Sequence, residues 1–139
     1  MVCWPAMRRV LLVEDSASMR AFVRAALTQS SALGDLEIAE AQSGFDALRL
    51  LPRGAWDLVI TDINMPDING LELISFIKKS EAHKTTPILI ISTASSERDR
   101  ERGMTLGASG YLVKPFTAEA LAQHALEQMG AASTSGAHA

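Results

Sequence analysis

The 139-residue chain has little of several features that would point to particular classes of protein. Its single cysteine, Cys3, provides neither a disulfide framework nor a cysteine metal site, and it favours a reducing, cytoplasmic environment. No apolar run approaches the length of a membrane span, so we expect no insertion into a membrane. The net charge of −3 gives no indication of direct binding to nucleic acid.

Two motifs are also missing. No G-x-G-x-x-G sequence follows the first predicted strand, which argues against a nucleotide-binding Rossmann domain. The three histidines, His83, His124 and His138, do not have the spacing of metal ligands. What the chain does contain is a large apolar fraction, 47% of its residues, which is enough to build the core of one domain.

We predict that this domain covers residues 8–129. Residues 1–7 would form an N-terminal extension, and either Met1 or Met7 could be the natural start. Residues 130–139 are small and polar, and we expect them to form a disordered tail. This organisation leaves no room for a separate output domain.

Strand-like and helix-like segments alternate along the chain. Short, nearly continuous apolar runs, typical of strands buried on both faces, occur at residues 10–13, 36–39, 58–60, 88–91 and 111–113. Helix-like segments lie between them, and this alternation predicts a parallel sheet with crossover helices. The pattern fits a doubly wound α/β fold with five strands in the order 2-1-3-4-5.

Charged side chains end three of these strands. Glu14 and Asp15 end the first strand, Asp62 ends the third and Lys114 ends the fifth. Strands 1 and 3 flank the crevice in which this fold binds ligands, so we expect the three acids to converge there. Clustered carboxylates are unfavourable without a cation. The pattern therefore predicts a site for Mg²⁺ and a phosphoryl group, with the lysine alongside.

The residue types suggest a role for each member of this cluster. Asp15 and Asp62 can each give one oxygen to Mg²⁺, the backbone carbonyl of Asn64 can give a third, and Glu14 acts through a bound water. Asp62 is the candidate nucleophile, because a carboxylate can attack phosphorus and form an aspartyl-phosphate. The metal and Lys114 would offset charge on the transferring group.

The fourth strand and the helix after it supply further candidates. Ser92 should face the site from the neighbouring strand, although Ser92 and Thr93 could also simply cap the next helix. That helix begins with the mostly charged run 96–103, and Met104 and Leu106 are nearly its only large apolar residues. It is either a solvated helix with charge pairs or a weakly anchored helix that moves when the site is phosphorylated.

In this order and spacing, the motifs resemble those of the response-regulator receiver family, most closely its single-domain chemotaxis type. The resemblance runs from about Arg8 to Met129 and implies a flavodoxin-like receiver fold. The segments that carry it are Glu14-Asp15, Asp62-x-x-Met65-Pro66, Gly70, Ser92 and Gly110-Tyr111-Leu112-Val113-Lys114-Pro115-Phe116.

The resemblance implies a phosphorylation site. Asp62 would accept a phosphoryl group from a sensor histidine kinase or a phosphotransfer protein. Glu14, Asp15 and the Asn64 carbonyl would serve Mg²⁺, and Lys114 would contact the phosphate. The protein would not be an enzyme in the usual sense, since it would catalyse only its own phosphorylation and dephosphorylation.

The resemblance also implies a switch. Ser92 and Tyr111 would form a switch pair. It would change the surface formed by the helix after the fourth strand, the fifth strand and the helix that follows it, where a downstream protein would bind. The family further implies a cis peptide between Lys114 and Pro115, and we expect a cytoplasmic monomer. Two features depart from the family: Ser92 stands where threonine is commoner, and the segment 29–35 is lengthened.

Two other functions stay open on the sequence alone. A phosphatase with an aspartyl nucleophile also needs acids at strand ends, but it typically has a general acid two residues after the nucleophile, where this chain has Asn64. A non-phosphorylated interaction module of the same fold would normally have lost an acid or the lysine, and none of these is missing here.

Overall fold

The computed structural model describes the backbone of residues 7–137 and the side chains of residues 7–130. The strands are β1 (Arg8–Val13), β2 (Leu36–Ala41), β3 (Leu58–Asp62), β4 (Ile88–Thr93) and β5 (Gly110–Lys114). The α-helices are α1 (Ala17–Thr28), α2 (Gly44–Leu50), α3 (Gly70–Lys79), α4 (Glu97–Leu106) and α5 (Ala118–Ala137). Two short 3₁₀ turns, Leu51–Arg53 and Ala94–Ser96, follow α2 and precede α4.

The five strands form one parallel sheet in the order β2-β1-β3-β4-β5, which confirms the predicted fold class. Alternate residues of β1 pack on opposite faces: Leu11 and Val13 face the core under α2 and α3, and Val10 and Leu12 face the core under α1 and α5. Because both faces are covered, the strands are apolar at nearly every position.

The sheet register places the ends of three strands side by side. Val13 pairs with Thr61, so the residues after β1 lie next to Asp62. Asp62 in turn pairs with Ile91, one residue before Ser92. The carboxyl ends of β1, β3 and β4 therefore form the edge at which the candidate site lies.

The second helix has a capped start and a tightened end. Helix α2 begins at Gly44, because the side chain of Ser43 caps it by accepting a hydrogen bond from the backbone N–H of Asp46. After Leu50 the chain tightens into the 3₁₀ turn, in which Pro52 stands near the start, where its missing N–H is not needed.

Gly103 is the residue at which helix α4 comes close to the sheet. Gly103 is buried in α4, whereas Met104 and Leu106 are 37% and 41% exposed. A Cβ atom on Gly103 would lie 2.5 Å from Cδ1 of Ile90, so a larger residue would force either the Ile90 side chain or the helix to move. The helix consequently buries little apolar surface, which favours the interpretation of a weakly anchored helix.

The predicted division of the chain into extension, domain and tail stays a prediction. Residues 1–6, which make up most of the expected extension, lie outside the described residues, as do residues 138–139. The helical backbone of α5 continues to Ala137, past the point at which we expected the tail to begin. Within the described range, none of the helices combines the length and the apolar character that crossing a membrane requires.

Candidate functional site

Three carboxylates meet at the carboxyl ends of β1 and β3. One oxygen from each of Glu14, Asp15 and Asp62 lies within 4.8 Å of the other two. Glu14 and Asp62 are buried, with 1% and 6% of their surface exposed, whereas Asp15 is exposed. The structure thus brings together the three acids that the sequence placed at these strand ends, and Asp15 lies on their solvent side.

Lys114 joins this cluster from the end of β5. Its Nζ donates hydrogen bonds to Oε2 of Glu14 at 3.0 Å and to Oδ2 of Asp62 at 3.1 Å. Burial lowers the pKa of this lysine, but its hydrogen bonds and ion pairs with the two acids outweigh burial and raise the pKa above its usual value. The peptide bond from Lys114 to Pro115 is cis, as the resemblance implies.

The charged form of Glu14 is unfavourable in this cluster. Burial, and then the nearby charge of Asp62, raise the pKa of Glu14 to about 7, although Lys114 and the backbone N–H of Ser16 act in the opposite direction. A divalent cation beside the three carboxylates would favour their charged forms. Three carboxylates, one of them open to solvent, fit Mg²⁺, which prefers oxygen ligands and keeps several waters.

Backbone groups of the β3–α3 loop orient Asp62. Its Oδ1 accepts a hydrogen bond from the N–H of Ile63 at 2.7 Å and a longer one from the N–H of Asn64 at 3.4 Å. The N–H of Gly70 donates to the carbonyl of Ile63 at 2.8 Å. A Cβ on Gly70 would lie 2.3 Å from the carbonyl oxygen of Asp62, so the close packing of α3 against this loop requires glycine.

Asn64 connects the β3–α3 loop to the chain before α4. Its Nδ2 donates a hydrogen bond to Oγ of Ser96 at 3.1 Å, and Ser96 is buried. Ser96 was not among the predicted site residues, because nothing in its local sequence indicates a partner 32 positions away. The role of the Asn64 carbonyl as a metal ligand stays a prediction.

Ser92 lies on β4, one residue after the partner of Asp62, and Tyr111 lies on β5, paired with Ile90. Ser92 is fully buried, whereas Tyr111 is 45% exposed. Neither Ser92 nor Thr93 caps α4 through its side chain, which removes the alternative explanation for this pair. Arg100 of α4 contacts both switch candidates: its Nη1 lies 3.4 Å from Oγ of Ser92, and its Cζ lies 5.4 Å from the centre of the Tyr111 ring.

Comparisons with known proteins agree with this geometry. Residues 10–126 match the family model of the response regulator receiver domain. The chain is 32% identical over 130 residues to a chemotaxis protein CheY homologue of Campylobacter jejuni, and the match covers 93% of this chain and 98% of that protein.

Solved structures give the same result. The chain is similar to the chemotaxis response regulator CheY4 of Vibrio cholerae, with a TM-score of 0.79 and 33% identity over 88% of this chain and 99% of the other. It is also similar to the receiver domain of the sensor histidine kinase PA1611 of Pseudomonas aeruginosa, with a TM-score of 0.78 and 26% identity over 90% of this chain and 99% of the other. That receiver domain has a magnesium ion coordinated in its active site cleft.

Proposed function

The chain belongs to the response regulator receiver domain family, and we propose that it is a stand-alone response regulator that is phosphorylated on Asp62. The family resemblance predicted from the motifs is confirmed, and it places the protein in two-component signalling. The observation that carries the proposal is the position of Asp62, a buried carboxylate within reach of two other acids and of Lys114.

In the proposed reaction, a carboxylate oxygen of Asp62 attacks the phosphorus of a phosphohistidine on a sensor kinase or phosphotransfer protein. A bond from phosphorus to the Asp62 oxygen forms, the phosphorus–nitrogen bond breaks, and the imidazole nitrogen leaves with the bonding electron pair. Lys114, 3.1 Å from Asp62 Oδ2, is placed to donate to an oxygen of the arriving phosphoryl group. Mg²⁺ held by Glu14, Asp15 and Asp62 would neutralise charge on the phosphoryl oxygens.

The same geometry gives no support to the phosphatase alternative. That reaction needs a general acid two residues after the nucleophile. The position is occupied by Asn64, whose amide donates to Ser96 and has no titratable proton to give to a leaving group. We therefore retain phosphoryl acceptance as the function.

We propose that the output is a contact between a downstream protein and the surface formed by α4, β5 and α5. Two features support this surface: Tyr111 is exposed on it, and a cavity of about 270 Å³ lies between Tyr111 and α4. The similarity to chemotaxis regulators over almost their whole length supports action as a stand-alone protein. We further propose that the protein is a monomer and that it is cytoplasmic, a location that its single cysteine favours.

Replacing Asp15 by asparagine should weaken Mg²⁺ binding by at least about tenfold, because one of three charged ligands is lost. Isothermal titration with Mg²⁺, and Mn²⁺ relaxation measurements, report this change directly. Asp35→Asn is the matched control, since Asp35 is an exposed aspartate on the loop before β2. Equal affinities in the wild type and Asp15→Asn would place the cation at another site.

The phosphoryl group should be short-lived, because Ala94 is small, exposed and leaves room for an attacking water. Ala94→Arg should slow hydrolysis about three- to tenfold by excluding that water. The decay of phosphoprotein after removal of the donor can be followed by intact mass. Ser95→Arg adds the same side chain one residue further along and should decay like the wild type. A wild-type phosphoprotein that persists for many hours would contradict the prediction.

A further inference from the structure

The guanidinium of Arg100 binds the β4–α4 connection rather than an acid of its own helix. Its Nη1 donates to the carbonyl oxygen of Thr93 at 2.6 Å and lies 3.4 Å from Oγ of Ser92. Among the described residues, the ion pair on α4 is formed by Arg102 and Asp99 instead, at 3.9 Å. Arg100 is therefore committed to the end of β4, directly beside the site.

The same guanidinium covers the aromatic ring of Tyr111. Its Cζ lies 5.4 Å from the ring centre, a distance at which a cation is attracted to the face of the ring. Tyr111 is 45% exposed, so this contact stabilises the outward position of the side chain. One side chain thus holds both members of the pair that the family resemblance identifies as the switch.

We propose that Arg100 is a latch that holds the resting arrangement of Ser92 and Tyr111, and that phosphorylation of Asp62 releases it. The proposal rests on the proposed function and concerns how the same site is regulated. Phosphoryl oxygens on Asp62 attract the Ser92 hydroxyl through a charge-assisted hydrogen bond, which is stronger than its long contact with Arg100. When Ser92 moves towards Asp62 and Tyr111 turns inward, Arg100 loses two of its three partners.

A second connection, at Ser96, holds the turn between β4 and α4. Nδ2 of Asn64 donates to Oγ of Ser96 at 3.1 Å, and Oγ of Ser96 lies 3.3 Å from Oγ1 of Thr93. The turn between β4 and α4 is therefore attached to the β3–α3 loop through Ser96 and to α4 through Arg100. Removing only the Arg100 contacts should free α4 and leave the surroundings of Asp62 intact.

The weak anchoring of α4 makes this latch effective. Because Gly103 contributes no side chain to the core, a few polar contacts decide which position of the helix is favoured. A phosphoryl analogue that binds only the active arrangement has an apparent affinity set by the fraction of molecules in that arrangement. Loss of the latch should increase that fraction, so the analogue should bind more tightly.

The single tyrosine of the chain provides the probe. Protein labelled with 3-fluorotyrosine gives one ¹⁹F resonance, from Tyr111, which can be followed while beryllofluoride is added in the presence of Mg²⁺. The midpoint is the beryllofluoride concentration at which half of the change in the resonance has occurred. We expect the midpoint for Arg100→Gln to be about three- to tenfold lower than that of the wild type. Arg100→Lys keeps a charge near the ring but lacks the planar guanidinium with its several donors, so its midpoint should lie between those of the wild type and Arg100→Gln.

Arg98→Gln is the matched control, because Arg98 is an exposed arginine on the same helix, and its midpoint should equal that of the wild type. Removal of Arg100 also changes the electric field at the Tyr111 ring and so shifts the resonance of the resting protein directly. The variants are therefore compared by their midpoints and not by the position of the resonance. Thermal unfolding checks that each variant is folded. If Arg100→Gln is unfolded, the midpoint of Arg100→Lys decides in its place.

The possible results separate the latch from the proposed function. Equal midpoints for the wild type and the Arg100 variants, together with a wild-type resonance that moves, overturn the latch alone. A wild-type resonance that does not move, with no phosphoryl group on Asp62 after treatment with acetyl phosphate, overturns the proposed function and the latch together. A lower midpoint in Arg100→Gln that Arg98→Gln does not share supports the latch.

Discussion

Replacing Asp62 by asparagine should abolish phosphorylation by acetyl phosphate and leave the fold intact. The amide is nearly isosteric with the carboxylate, but it is a poor nucleophile and cannot form the acyl phosphate. The amide oxygen can still accept the hydrogen bond that the N–H of Ile63 donates at 2.7 Å, so the β3–α3 loop keeps its main contact with this side chain. Intact mass should show no added phosphoryl group in Asp62→Asn under conditions that label the wild type.

Two further variants make this result specific to Asp62. Asp15→Asn should be labelled more slowly but on the same residue, because it removes a metal ligand and not the nucleophile. Asp35→Asn should be labelled like the wild type, as Asp35 lies on an exposed loop outside the cluster. Phosphorylated Asp62→Asn would mean that another carboxylate is the nucleophile, and peptide mapping would then identify it, with Glu14 and Asp15 the first to be examined.

The sequence was sufficient to predict the parts of the site that depend on strand topology. Glu14 and Lys114 are separated by 100 positions, yet their contact follows from the order of the strands, because the carboxyl ends of parallel neighbours meet at one edge. The apolar runs located all five strands, since strands covered on both faces leave a continuous signal. The acids and the lysine then followed from their positions directly after those runs.

The contacts of α4 could not be predicted in the same way. Arg100 lies only eight positions from Ser92, but several charged residues of α4 are equally close in sequence. The rotation of the helix about its axis decides which arginine faces the β4–α4 turn. That rotation depends on the close approach of Gly103 to Ile90, a packing contact between two elements that no local pattern specifies. A glycine within a helix is intrinsically unfavourable, and the contact with β4 shows why one is needed here.

Lys114→Ala should still accept a phosphoryl group but respond to it more weakly. Asp62 and the other two carboxylates that suit Mg²⁺, Glu14 and Asp15, are retained, so acetyl phosphate should still label the variant, although more slowly. The ammonium that lies 3.1 Å from Asp62 Oδ2 is lost, and with it a charged donor for the phosphoryl oxygens. We expect the beryllofluoride midpoint, read from the ¹⁹F resonance of Tyr111, to rise about ten- to a hundredfold, the usual effect of losing a hydrogen bond to a charged group.

Lys79→Ala is the control for this experiment, because Lys79 is an exposed lysine at the end of α3. Lys114→Arg keeps the charge and should recover part of the response. A wild-type midpoint in Lys114→Ala would place the lysine outside the switch. Lys114 and Arg100 act on opposite sides of one equilibrium, since the lysine favours the phosphorylated arrangement and the arginine favours the resting one. Because the two residues share no contact in the described structure, their effects on the midpoint should multiply, and the double variant should lie between the two single variants.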